Sequence, residues 1–308
     1  MIPNFRKSAG LRLLAGALVL TLSACAQMPG QADAERARSG VFSGTIAEMT
    51  WPEVAQAAKD GAVLLWAFGV IEQHGPHLPT GTDVYVPSAR LREVRKILEE
   101  KGIRALIVPP YYWGVNVVSG SFPASYDVKP PTMIAVMQDV FASMSKEGFK
   151  HVFLVSGHGD ALHNKTIFEG ARAGIQGTGL DISFVTTEVL AKRLGIDPAD
   201  RAITLQAPDG GAPGKFVDVH AGDPETSTMM AAYPWLVRES VRRDLKSTDY
   251  GPADLAEWRK GYENAKRKTP LGYFGDPAAA DAARGAAALT ASAQAIADAI
   301  ERRLKSGR

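Results

Sequence analysis

The sequence predicts an α/β fold: a mostly parallel sheet with helices on both faces. Short, continuous apolar runs recur at 62–68, 105–109, 151–156 and 182–187. Continuous apolarity in a run too short for a helix suits a strand covered on both sides. Amphipathic helical segments separate these runs, and strand–helix alternation is the mark of a parallel sheet. Polar, ligand-type residues follow two of the runs at once, as expected where strand C-termini gather along one edge.

Taken in order, residues 45–60 predict a short helix, with Trp51, Val54 and Ala58 on one face. The run at 62–68 is the first buried strand. Residues 87–101, opening on Pro87, interleave charges with Leu91, Val94, Ile97 and Leu98 and predict a helix. A second strand at 105–109 leads into a Gly- and Ser-containing loop, 111–126, expected to form a pocket wall. Residues 132–147 carry Ile134, Met137, Val140, Phe141 and Met144 at helical spacing, with Gly148 as the stop. The third strand is 151–156, a helix covers 164–174, and 182–187 is the fourth strand. The Gly/Pro/Asp-rich stretch 191–216 predicts a long irregular surface insertion. The Ala-rich segment 278–308 predicts a helix that serves core packing or an oligomer contact.

The N-terminus has a different character. Arg6, Lys7 and Arg12 precede a short apolar stretch, 13–22, and no acidic residue occurs in the first 25 positions. Such a stretch is short for a bilayer span but suits a signal segment. Leu22-Ser23-Ala24-Cys25 resembles a bacterial lipobox, and Cys25 is the chain's single cysteine. The expected organisation is a signal peptide at 1–24, a tether at 25–43 and one domain at 44–308. Cys25 would carry a lipid anchor; two or three acyl chains hold stably where one is marginal. Ala26, rather than an Asp, favours the periplasmic face of an outer over an inner membrane. A plain secretory signal is the competing reading. The whole chain carries 35 Lys+Arg against 33 Asp+Glu. Without the leading basic residues it is near neutral, which gives no support to nucleic-acid binding.

The densest ligand run follows the first strand: Glu72-Gln73-His74-Gly75-Pro76-His77-Leu78-Pro79, then Asp83. Glu72 and His74, two apart in extended chain, would point the same way. Carboxylates and imidazoles together suit zinc, manganese or a related divalent ion. Asp83 has two oxygens and could bridge a pair of ions. The third strand leads into Ser156-Gly157-His158-Gly159-Asp160, where the glycines would let backbone approach a bound group. A third segment runs from Asp218 through His220 and Glu225 to Ser227. His151 and His163 read as ordinary core or surface histidines, His77 as a supporting residue. Asp127, Asp209 and Asp223 read as turn carboxylates. Trp66, Trp113 and Tyr126 read as core rather than pocket lining. A buried polar network is the alternative to a metal site.

The E-Q-H-G-P-H-L-P-x-x-x-D run, the Gly157-His158 pair and the H-A-G-D-P-E-T-S run from His220 to Ser227 resemble the creatininase (creatinine amidohydrolase-like) family. The resemblance implies a creatininase-like three-layer sandwich, hydrolysis of a small cyclic or linear amide, two divalent ions (Zn and/or Mn) and a homo-oligomer. It implies that Glu72, His74, Asp83 and His158 are metal ligands, with Asp83 bridging. Asp160 falls where creatinine-hydrolysing members place a liganding Glu. His220 matches a histidine of acid–base or substrate contacts, and Glu225 is a site carboxylate or an anchor. The family's N-G-H-x-x-N pattern reads Ser156-Gly157-His158-Gly159-Asp160-Ala161 here, which sets creatinine itself apart from the expected substrate.

The expected chemistry is attack of a metal-activated water on an amide carbonyl, since metal binding lowers water's pKa from 15.7 toward about 7. A proton would reach the leaving nitrogen from His220, Asp160 or Glu225, an effect of roughly 10²–10⁴-fold. The alternative is a non-catalytic periplasmic lipoprotein that binds a metal or ligand on the same fold. A serine hydrolase is not supported, because the strand exits lack a G-x-S-x-G elbow.

Overall fold

The structure is a computed structural model and describes residues 40–208 and 216–307. The signal, Cys25, most of the tether and Asp209 lie outside the described residues. Among those described, no helix is long and apolar enough to cross a membrane.

Five parallel strands form one sheet: β1 (Val63–Phe68), β2 (Ala105–Tyr111), β3 (His151–Ser156), β4 (Asp181–Thr187) and β5 (Ile203–Gln206), in the order β2-β1-β3-β4-β5. The helices in chain order are α1 (Trp51–Lys59), α2 (Thr82–Glu100), α3 (Pro130–Lys146), α4 (Ala161–Thr178), α5 (Glu188–Arg193), α6 (Asp223–Ala232), α7 (Glu239–Arg242), α8 (Pro252–Trp258), α9 (Tyr262–Lys268) and α10 (Ala282–Ser306). Alternate residues of β1 serve opposite layers. Leu64, Trp66 and Phe68 pack with Met137 and Phe141 of α3 and with Ile167 of α4. Val63, Leu65 and Ala67 pack with Leu91 and Val94 of α2 and with Ile296 and Ile300 of α10. The sandwich therefore has three layers, and each face of β1 is fully buried as its continuous apolarity predicts.

Strand order reverses direction beside β1, which places a switch point between β1 and β3. Their last residues, Phe68 and Ser156, are paired in register, and Gly157 N–H donates to the Phe68 carbonyl at 2.7 Å. Whatever follows each strand thus leaves the sheet side by side.

Four sequence expectations need correction. Trp51 does not join Val54 and Ala58 on the buried face; it is 82% exposed, at the first position of α1 after the Thr50/Glu53 capping box. The second helix begins at Thr82, not Pro87, so Pro87 lies inside it and Asp83 sits in its first turn rather than on a returning loop. Pro87 has no N–H to return to the Asp83 carbonyl, its helical partner one turn back. The stretch 191–216 is not all irregular: it contributes β5, whose four residues Ile203-Thr204-Leu205-Gln206 pair with β4. A run that short between polar turns lacks a clear period. Finally, Gly157 does not make room for a bound group. A Cβ there would stand 2.3 Å from the Asp83 carbonyl oxygen and 2.5 Å from the Pro87 ring, and one on Gly69 would stand 2.2 Å from the same oxygen. The two glycines let β1 and β3 close on the first turn of α2.

Candidate metal centre

That closure sets Asp83 between the two strand exits. Nδ1 of His158 lies 2.7 Å from Oδ2 of Asp83 and 3.0 Å from Oε1 of Glu72. On the other side, Nε2 of His74 lies 3.1 Å from Oδ1 of Asp83 and 3.7 Å from Oε2 of Glu225. Donor atoms of Glu72, Asp83 and His158 lie within 4.8 Å of one another, and so do those of His74, Asp83 and Glu225, and of Glu72, His74 and His220. The first two sets share only Asp83, which turns one oxygen toward each.

Each donor is fixed by its neighbours. His74 Nδ1 is 3.2 Å from the Glu72 carbonyl; donating there leaves the Nε2 lone pair facing the carboxylates, the tautomer a metal ligand needs. Glu72 N–H donates to the Thr80 carbonyl at 2.9 Å, which closes the loop between them. Oε2 of Glu72 accepts from the Ser119 hydroxyl, a contact that orients the carboxylate. Glu225 stands in the first turn of α6 and accepts from Ala221 N–H at 2.6 Å. Ala221 adopts φ 49°, a left-handed turn that swings the chain from His220 into α6. His77 is buried but outside all three donor sets; its Nε2 pairs with Thr226 Oγ1 at 2.9 Å and ties the loop to α6.

The electrostatics are those of a cage that favours positive charge. Burial opposes charge on His74, yet Asp83, Glu225 and Glu72 outweigh it and hold its pKa at about 10. Burial likewise opposes charge on His158, but Glu72 and Asp83 raise it well above the usual range. Burial disfavours ionised Asp83, while His74 and His158 hold it below the carboxylate range. Loss of solvation pushes Glu225 up to about 7, with Asp83 and Glu72 adding to the effect against His74. Burial, then the neighbouring His74, lowers His220 to about 3, so its imidazole is neutral.

Asp160 is placed differently from the expectation. It caps α4, with Oδ1 accepting from Leu162 N–H at 2.7 Å and His163 N–H at 3.3 Å. Oδ2 accepts from Val117 and Val118 N–H at 3.0 and 3.3 Å. With both oxygens engaged by backbone donors, it belongs to none of the donor sets and draws the 111–126 loop toward α4. That loop does form a pocket wall, through Val117 and Val118, over a cavity of about 560 Å³ whose floor holds Glu72, Asp83, His158, His220 and Glu225. Trp66 is core as expected, whereas Trp113 and Tyr126 are exposed and pack on each other outside that lining. His151 pairs with Asp181 at 2.9 Å, and buried His163 stacks edge-on against His158. Sequence reasoning missed Ser119, because a serine in a loop carries no spacing signal.

A profile of the creatininase family, described as creatinine amidohydrolase, matches residues 47–300. Creatinine amidohydrolase of Pseudomonas putida is 27% identical over 265 residues, covering 83% of this chain and 95% of that protein. The mycofactocin precursor peptide peptidase of Mycolicibacterium smegmatis is 26% identical over 241 residues, covering 78% and 85%. A crystal structure of creatinine amidohydrolase superposes with a TM-score of 0.63 at 24% identity, over 84% of this chain and 97% of that one. A manganese creatininase structure gives 0.63 at 23%, over 84% and 98%. The likeness runs through both strand exits and α6, and with all six converging donors inside the matched stretch, this chain belongs to the creatininase family.

Proposed function

We propose that the protein is a divalent-metal-dependent hydrolase of an amide C–N bond in a small molecule, with two ions held side by side. The observation that carries this reading is the sharing of Asp83 between two donor sets. The donors also pass a test of fit. Oε1 of Glu72 and Oδ2 of Asp83 have no hydrogen-bond partner of good geometry among the described residues; their close neighbour is Nδ1 of His158, within 3.0 Å, as an ion-pair contact. Buried carboxylate oxygens left so are costly unless a cation satisfies them. Mixed oxygen and imidazole donors suit zinc or manganese.

Glu72, Asp83 and His158 would hold one ion, and His74, Asp83 and Glu225 the other. When bound, such ions supply an acidified water and a Lewis acid for the carbonyl oxygen. The chain supplies the rest. Nε2 of His220 sits 2.9 Å from the Gln73 carbonyl; donating there leaves Nδ1 bare and 3.8 Å from Oε1 of Glu72. Nδ1 takes the proton of the attacking water and returns it to the leaving nitrogen as the C–N bond breaks. One water is consumed, giving a carboxylic acid and an amine. The buried setting keeps the imidazole neutral, and its depressed pKa makes it a weaker base, and once protonated a stronger acid toward the leaving nitrogen, than an ordinary histidine. The related proteins from Pseudomonas putida and Mycolicibacterium smegmatis are named for a cyclic amide and a peptide, which supports an amide bond here.

The test is metal analysis of the purified domain followed by a screen of small amides and lactams. Two equivalents of zinc or manganese with turnover of any member is expected. Full turnover by a metal-free His74→Ala protein would overturn the reading. Bound metal without turnover across the screen favours the non-catalytic binding protein. The anchor is likewise a proposal: Cys25→Ser should release the protein from the membrane fraction of a bacterial host.

A further inference from the structure

The cavity has three zones. The buried donor cluster makes its floor, Val118, Leu162, Leu255 and Trp258 give it an apolar waist, and the exposed Arg193 and Arg259 stand at its mouth, as their burial orders them. Arg193 ends α5 and Arg259 follows α8, so two distant parts of the chain each deliver a guanidinium to one opening. Among the described residues neither has a carboxylate partner or a side-chain hydrogen bond. The cavity's acidic groups do not neutralise them: Glu72, Asp83 and Glu225 face the histidines, and Asp160 is engaged by four backbone N–H groups. Arg193 has its pKa lowered by lost solvation and by the neighbouring Arg259. Like charges converging on one opening are relieved by an anion between them, and guanidinium forks match pairs of carboxylate or phosphate oxygens.

We propose that Arg193 and Arg259 form an oxyanion subsite, so that the substrate is an amide carrying a carboxylate or phosphate, separated from the scissile bond by an apolar spacer. The inference rests on the metal-centre reading for the position of the scissile bond. The anion would give orientation: held at the mouth, it directs the amide across the apolar waist to the floor.

The test uses the metal-loaded protein and three matched series with two to six methylenes: N-acetyl ω-amino acids, N-acetyl ω-amino alcohols and the phosphate esters of those alcohols. Acetate release and calorimetric binding are both measured, for wild type and for Arg193→Met/Arg259→Met. In wild type at least one acid or phosphate should bind ten-fold or more tighter than its alcohol, with the advantage carried in KM. In the double variant that ratio should fall to near one. The more favoured of the two anionic series identifies the source of the charge. Equal binding of acid, phosphate and alcohol by wild type overturns the proposal. So does an anionic advantage that survives in the double variant, since the ions on the floor would then account for it. Absence of acetate release from every compound counts against the hydrolase reading, while the binding ratios still decide the subsite.

Discussion

The imidazole of His158, at the exit of β3, meets the carboxylate of Asp83, in the first turn of α2, at 2.7 Å. The other oxygen of that carboxylate faces His74, at the exit of β1. Asp83 is therefore the hinge of the cluster, and removing it should differ in kind from removing an outer ligand. In Asp83→Asn both ions should be lost, with turnover down by roughly 10³-fold or more. Glu225→Gln should retain one. Elemental analysis of the two variants after identical loading reads this directly, and equal metal content in both would refute shared ligation.

Gly157 offers a test that replaces no donor side chain. A Cβ there collides with the Asp83 carbonyl and the Pro87 ring, whereas Gly159, two residues on, has open space around its Cβ position. Gly157→Ala should weaken metal affinity by about 10–100-fold, the scale seen when a ligand's supports are disturbed. Gly159→Ala should leave affinity in place. Competition titration with a chromophoric chelator compares the two.

Ser119 donates to Glu72 and also lies 2.9 Å from Asn116 Oδ1. Ser119→Ala should keep the fold but free the Glu72 carboxylate to rotate. Metal affinity or kcat should fall by about 10–100-fold, with unchanged circular dichroism. Wild-type values for both would show that the hydroxyl is incidental.

Away from the site, Arg303 of α10 grips Asp181 at 2.5 Å, the Arg201 carbonyl at 2.7 Å and the Ile203 carbonyl at 3.1 Å. Burial works against the charge on Asp181, but His151 and Arg303 hold its carboxyl below the ordinary value of 3.8. Its stabilising effect is complete above that value and is lost as pH falls through the lower folded value. Asp181→Asn, which leaves the buried Arg303 charge with neutral oxygen partners only, should cost about 3 kcal/mol near neutrality. The gap in Tm from wild type should narrow on acidification below pH 3.8; a constant gap down to pH 2 would assign the loss to packing alone.

Glu72, His74 and His158 were legible in the sequence because each follows an unbroken apolar run with little chain between. The strand exit fixes where such residues go, and register between β1 and β3 does the rest. Asp83 was legible as a ligand type but not as a helical one, since Pro87 marks a usual helix start while here it tolerates a missing hydrogen bond inside α2. Asp160 misled for a different reason: the same short carboxylate that can bind a cation also caps a helix. Its backbone partners Val117 and Val118 come from a loop whose path local sequence does not encode. Arg193 and Arg259 carry no motif or spacing signal, and only the placement of α5 and α8 brings them to one opening.

Helix α10 packs on α2 and α6, which carry Asp83 and Glu225. At Gly285 it presses against the Ser227 backbone, and Arg284 clasps Asp223 at 2.8 and 2.9 Å. This brace follows every donor in chain order. A nascent polypeptide leaving the ribosome thus owns all its ligands before it can hold them still. With the proposed ions, chains truncated ahead of α10 should therefore hold metal more weakly than the whole chain.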